Sequence, residues 1–191
     1  METAVSIALG IGLSAAAGFR VFVPLFALSI AGYTGYLELS PGFAWMGTLP
    51  ALISFGTATV LEVLAFYIPW LDNMLDTLAT PAAVIAGVLV SASVITDLPP
   101  LLKWVLSVIG GGGIAGVIQG ATVLTRLKST TFTAGIGNPL VSTAELGGSV
   151  LTSLSAIFLP VITVLVVGLF ALLVFVITKR FLFGRRVSPT T

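Results

Sequence analysis

From Thr3 to Tyr33 the chain is apolar almost without interruption, with a single charge, Arg20, near the middle. A straight helix crosses the hydrocarbon core of a bilayer in roughly 20 residues, so this block is too long for one crossing. Gly18-Phe19-Arg20-Val21-Phe22-Val23-Pro24 occupies its centre. Pro24 removes a backbone donor and crowds the preceding turn, which predicts two helical pieces meeting at a break. The alternative is one long, tilted, proline-kinked helix. A turn-rich stretch from Gly32 to Pro50 follows, and a second span is predicted over residues 50–69, carrying Glu62 and closed by Trp70. Pro suits a first helical position, and Trp favours the membrane–water boundary.

Residues 71–80 read as a connection holding Asp72 and Asp76, which share a face if the stretch is helical. Pro81 then opens a third span to about Ile95, ended by Asp97 and Pro99-Pro100. The fourth span, residues 104–125, contains Gly110-Gly111-Gly112-Gly113, then Gly116 and Gly120. Glycines at that spacing let two helix backbones approach in lipid, so Gly110, Gly113, Gly116 and Gly120 are candidates for a homo-oligomer contact. No strand precedes them and no Gly-Lys-Ser/Thr follows, which excludes a phosphate-cradling loop. Residues 126–133 read as a polar link into Gly137-Asn138-Pro139. Beyond Pro139 the one obvious breaker is Pro160, giving a fifth span over 139–158 and a sixth over 161–178. The alternative makes 137–148 a re-entrant segment followed by one kinked helix.

Charge placement favours the six-span division. It puts Arg126, Lys128, Lys179, Arg180, Arg185 and Arg186 on one side and Lys103 on the other, with both termini cytoplasmic. The expected architecture is therefore an all-α polytopic membrane helix bundle with about six spans and broken or re-entrant segments. Halves 1–98 and 99–180 would form a 3+3 inverted repeat, and residues 181–191 a basic cytoplasmic tail, in the cell (inner) membrane.

Composition agrees. Of 191 residues, 57% are hydrophobic and 8% charged, too few charges to clothe a water-facing surface. A net charge of +1 is too small to steer nucleic acid. With Cys 0 and His 0, disulfides, thiolate or imidazole metal sites and His- or Cys-based triads are excluded, and no cofactor is implied. Met1-Glu2-Thr3 places no basic run before the apolar stretch, so the first segment is expected to be a retained membrane helix.

Three blocks resemble an uncharacterised prokaryotic multi-pass membrane family, the domain of unknown function DUF4126. They are the run from Gly12 to Leu25, the stretch Leu61-Glu62 through Thr80-Pro81-Ala82-Ala83, and Gly137-Asn138-Pro139-Leu140-Val141-Ser142-Thr143-Ala144-Glu145. The resemblance implies a multi-pass membrane protein and carries no assigned activity or site residue.

Most charges fall at predicted ends or loops; Arg20, Glu62 and Glu145 do not. An isolated charge at mid-membrane costs on the order of 3 kcal/mol on insertion scales, so Arg20 is expected to pair with one of the two acids. One Arg against two carboxylates leaves an unbalanced negative charge, which would suit Glu62 to proton or cation exchange. A structural reading stands beside it: Arg20 caps carbonyls freed at the break and locks the bundle. Asn138-Pro139 suits a helix start with Asn as N-cap. Gln119 faces either a neighbouring helix or a polar cavity, and Asp72 with Asp76 is a weak candidate pair for a divalent metal.

The leading expectation is a transporter or channel for a small solute or ion. Arg20, Glu62, Glu145, Asn138 and Gln119 would line its pathway, near helix breaks at Gly18, Pro24, Gly137 and Pro139. The alternatives are an intramembrane enzyme acting on a lipid-linked substrate, with Glu62 or Glu145 as acid or base, and a structural assembly subunit. A water-accessible cavity reaching Arg20 would favour transport. A lateral groove ending at Glu62 would favour the enzyme, and a sealed ion pair the assembly role.

Overall fold

The computed structural model describes residues 3–183, apart from the side chains of 69–76, 177, 178 and 180–183. Every regular element among them is helical. Thr77–Val94, Pro100–Thr133 and Asn138–Phe158 are each long and apolar enough to cross a membrane. A fourth span is added if Pro41–Gly47 and Leu49–Ala65, bent by 67° to each other, count as one.

The first apolar block divides as expected, into α1 (Thr3–Phe19) and α2 (Phe22–Tyr33). The break is at Arg20-Val21, and Pro24 lies in the first turn of α2, where a missing backbone donor costs nothing. The chain reverses at this break. Along α1, Arg20 lies beside Glu145, Ala16 beside Ser149 and Gly12 beside Ala156, so α1 runs antiparallel to Asn138–Phe158. Along α2, by contrast, Ala27 and Ile30 lie beside Leu154 and Ile157, and Tyr36, just beyond its end, stacks near Phe158. Since α2 also begins next to Arg20, it runs back toward the end from which α1 came. The one-helix alternative is thereby corrected to a helical hairpin.

The remaining helices are α3 (Leu49–Ala65), α4 (Pro69–Val94), α5 (Pro100–Leu106), α6 (Gly113–Thr133), α7 (Asn138–Phe158) and α8 (Pro160–Phe183). Two expectations need correction here. Residues 71–80 are no loop: α4 starts at Pro69 and continues through Pro81. One missing hydrogen bond is tolerated in a long helix that its neighbours hold on both sides. Likewise 126–133 is no link, because α5 runs through a widened π turn, Ser107–Gly112, into α6 and on to Thr133. The division at Pro160 holds, and α7 is one continuous helix from Asn138, against a re-entrant 137–148.

At the centre stands α1. Between Ala8 and Gly18 only Ile11 is less than fully buried, and α4, α6, α7 and α8 all pack on this helix. Its small residues make that crowding feasible. A Cβ on Gly18 would lie 2.5 Å from Ile118 Cβ and 2.6 Å from the Ala115 carbonyl oxygen. Ser14 Oγ donates to the carbonyl of Gly87 on α4 at 2.7 Å, and Ser149 Oγ on α7 to that of Ala16 at 2.9 Å. Close approach between α4 and the π turn falls to Gly87 and Gly111, whose added Cβ atoms would each clash with the other's carbonyl oxygen. Of the predicted glycine stripe, Gly113 and Gly120 meet no neighbour, Gly110 touches only Ile11, and Gly116 sits beside Val84.

Thr3, Val94 and Phe158 share one end of the bundle, called the upper end below. The α6–α7 turn at 134–137 marks the lower end. Because α6 continues past Arg126 to Thr133, the α1–α2 reversal lies about 10 Å inside the lower end.

Candidate functional site

The reversal leaves the backbone N–H groups that begin α2 without helical acceptors inside an apolar bundle. Glu62 on α3 supplies them. Val21 N donates to Glu62 Oε1 at 2.7 Å and Phe22 N to Oε2 at 3.0 Å. A carboxylate capping a helix N-terminus also meets the positive end of its dipole. The expected direct Arg20–Glu62 pair is replaced by this backbone clamp.

Arg20 turns the other way. Its Nη2 donates to the carbonyl of Ser142 at 3.0 Å and lies 3.3 Å from Glu145 Oε2, which bears out the pairing expected with Glu145. The same carboxylate takes a second guanidinium. Arg126 Nε donates to Glu145 Oε1 at 2.9 Å, and Arg126 Nη2 donates to Oε2, the parallel fork that suits Arg to carboxylates. Both guanidinia lie over the Phe66 ring, at 3.8 Å for Arg20 and 4.2 Å for Arg126, adding cation–π attraction in a desolvated setting. Arg20 is 2% exposed and Arg126 and Glu145 4% each, so the cluster is sealed from solvent.

Arg126 is the residue that the linear reading missed, because it fell in a stretch taken for a solvated link. A signal was present: Ala115, Gln119, Thr122 and Arg126 follow one another at helical spacing and form the buried stripe of α6. Its presence corrects the charge balance. Arg20 and Arg126 face Glu62 and Glu145, two against two, and both guanidinia lie within electrostatic reach of Glu62. No unbalanced carboxylate remains in the cluster.

The other candidates scatter. Gln119 is buried on α6 two turns before Arg126 and lines neither cavity at the cluster. Asn138 starts α7 but does not cap it; its Nδ2 donates to Thr130 Oγ1 at 3.2 Å, while the N–H of Gly137 is taken by Thr133 Oγ1. The side chains of Asp72 and Asp76 lie outside the described residues. Among the described residues no three His, Cys, Asp or Glu side chains gather as a metal site would require.

Two cavities flank the cluster on different walls. One, of about 430 Å³, lies between α2, α3 and α4 and is lined by Val21, Phe22, Leu61, Glu62, Phe66 and Leu78 among others. Glu62 is the ionisable group in its wall, and the exposed apolar Leu61 and Leu78 form its rim. The other, of about 240 Å³, lies between α1, α6, α7 and α8 and reaches Glu145 beside Phe19, Thr122 and Thr125.

Apolar helices around a sealed ionic centre define a membrane-type helical bundle whose first two helices form an internal hairpin. The chain belongs to the DUF4126 family, a domain of unknown function matched over residues 7–180. No curated protein and no solved structure matches it.

Proposed function

We propose that this is a multi-pass membrane protein that binds and transports a small molecule entering from the lipid phase, at the tip of a re-entrant α1–α2 hairpin. The observation that carries the reading is the lateral cavity ending at Glu62, next to an ionic cluster closed to water. A hydrated ion would need a wet approach to the charges, whereas a lipid-soluble molecule needs only the apolar rim of Leu61 and Leu78. Irregular backbone at membrane depth is tolerated where protein buries it, and at Arg20-Val21 the clamp of Glu62 does so. Proton exchange at Glu62 is left out, because it rested on an unbalanced charge that Arg126 cancels.

In this reading the hairpin enters and leaves at the upper end, and α3, α4, α5–α6, α7 and α8 cross. The termini then lie on opposite sides of the membrane in place of six crossings with both cytoplasmic. Lys128 and Lys179 belong to the lower end, with Arg180, Arg185 and Arg186 following by sequence, and Lys103 to the upper end. The positive-inside rule thus makes the lower end cytoplasmic.

The enzyme reading has one observation in its favour, the groove at Glu62. Against it, both Glu62 oxygens are occupied by backbone donors and no nucleophile lines the cavity. The purified protein in liposomes, given a panel of hydrated ions and lipid-soluble solutes, tests the proposal. Flux of a lipid-soluble solute is expected, and flux confined to hydrated ions overturns it. Single cysteines introduced at Thr3 and Lys128 should label from opposite sides.

A further inference from the structure

The occupant of the lateral cavity can be specified by the charges around it, granted the reading that this cavity takes a molecule from the lipid phase. Its walls are hydrocarbon and aromatic: Ala58, Ala65, Ala79 and Ala82 stand beside the Phe22 and Phe66 rings. Such walls accept an alkyl or isoprenoid chain. The polar feature is the half-buried Glu62 carboxylate.

Each Glu62 oxygen already accepts one backbone N–H, and an ionised carboxylate has about four acceptor positions in all. Acceptor capacity is therefore left over, and a carboxylate has no proton to donate. The head of a ligand reaching Glu62 must bring a hydrogen-bond donor. Its charge is constrained by the cluster, which already sums to zero over Arg20, Arg126, Glu62 and Glu145. An anionic head would meet Glu62 head-on. A cationic head would leave the apolar centre with a net positive charge, next to the positive end of α2 and the two guanidinia. An uncharged donor disturbs neither balance.

We infer that the cavity between α2, α3 and α4 binds an uncharged amphiphile of the bilayer, a long-chain alcohol or similar hydroxyl-headed lipid, with the hydroxyl donating to Glu62. The opening among Leu61 and Leu78 admits it sideways, and about 430 Å³ is within the range of small-molecule sites.

Photolabelling tests this with the full chain in lipid nanodiscs. The probe is a dodecanol carrying a diazirine in its alkyl chain, competed by unlabelled dodecanol, dodecylammonium or dodecanoate. Saturable labelling of residues 58–66 and 78–82 is expected, with the two charged competitors at least about tenfold weaker than the alcohol. Ala58→Phe and Ala82→Phe each fill the cavity without removing a charge and should cut labelling about fivefold or more. The competition arm needs no variant and so is independent of their folding. If either charged analogue competes as well as the alcohol, the inferred head chemistry is wrong while entry from the lipid phase stands. If labelling spreads over the bundle, or survives both Phe variants in folded protein, the cavity is no binding site and both readings fall.

Discussion

The upper and lower parts of the bundle are held by different physics. Toward the upper end, α1 meets its neighbours through glycine, alanine and serine, with backbones nearly touching and neutral hydrogen bonds such as Ser14 to Gly87. Toward the lower end four charges surround a chain reversal. In lipid no hydrophobic force draws helices together, so shape and dispersion suffice where the backbone is regular helix with its own bonds made. Where the chain turns inside the bundle, free backbone groups demand strong partners, and only charged side chains with further reach supply them. The difference teaches that the costly residues serve the irregular backbone as much as any ligand.

Substitutions that probe each region should separate in size. Glu145→Ala should have the largest effect, because it leaves two buried guanidinia without a counter-charge; a loss of about 3–5 kcal/mol is expected in thermal or denaturant unfolding in detergent. Replacing Arg126 and Glu145 together by Met should recover part of that loss, and a double variant as poor as the single would count against a net desolvation penalty. Next comes Gly18→Ala, whose Cβ would collide with Ile118 and the Ala115 carbonyl, costing about 1–3 kcal/mol. Its counterpart Gly120→Ala meets nothing and should be neutral or stabilise by up to about 1 kcal/mol, through helix propensity alone. Equal losses at the two positions would erase the claim that packing against α1 sets the upper region. Ser149→Ala, which removes one neutral bond to the Ala16 carbonyl, should cost only about 0.5–1.5 kcal/mol. The smallest change in global stability is expected for Glu62→Gln, which keeps one acceptor for the hairpin tip. There, faster amide exchange at Val21 and Phe22 is the telling readout.

Much of this was legible along the chain. The break near Arg20, the helix starts at Pro50 and Asn138-Pro139 and the split at Pro160 all follow from proline chemistry and span length, which are local. Arg20 and Glu145 stood out because a charge in an apolar run must be explained. Arg126 did not, since it lies in a polar stretch whose helical continuation depends on α7 packing beside it. Pro81 misled for the same reason: its effect on a helix is decided by what surrounds it.

Composition and periodicity alone determined that the chain is helical, suited to a membrane, and interrupted near residue 20, because solvation cost and backbone geometry act residue by residue. Only the tertiary structure decided that the interruption is a reversal, that Glu145 is shared by two arginines, and that Glu62 serves the backbone. Direction after a break and the choice among charge partners depend on distances between residues up to 125 positions apart, such as Arg20 and Glu145, which no local rule encodes.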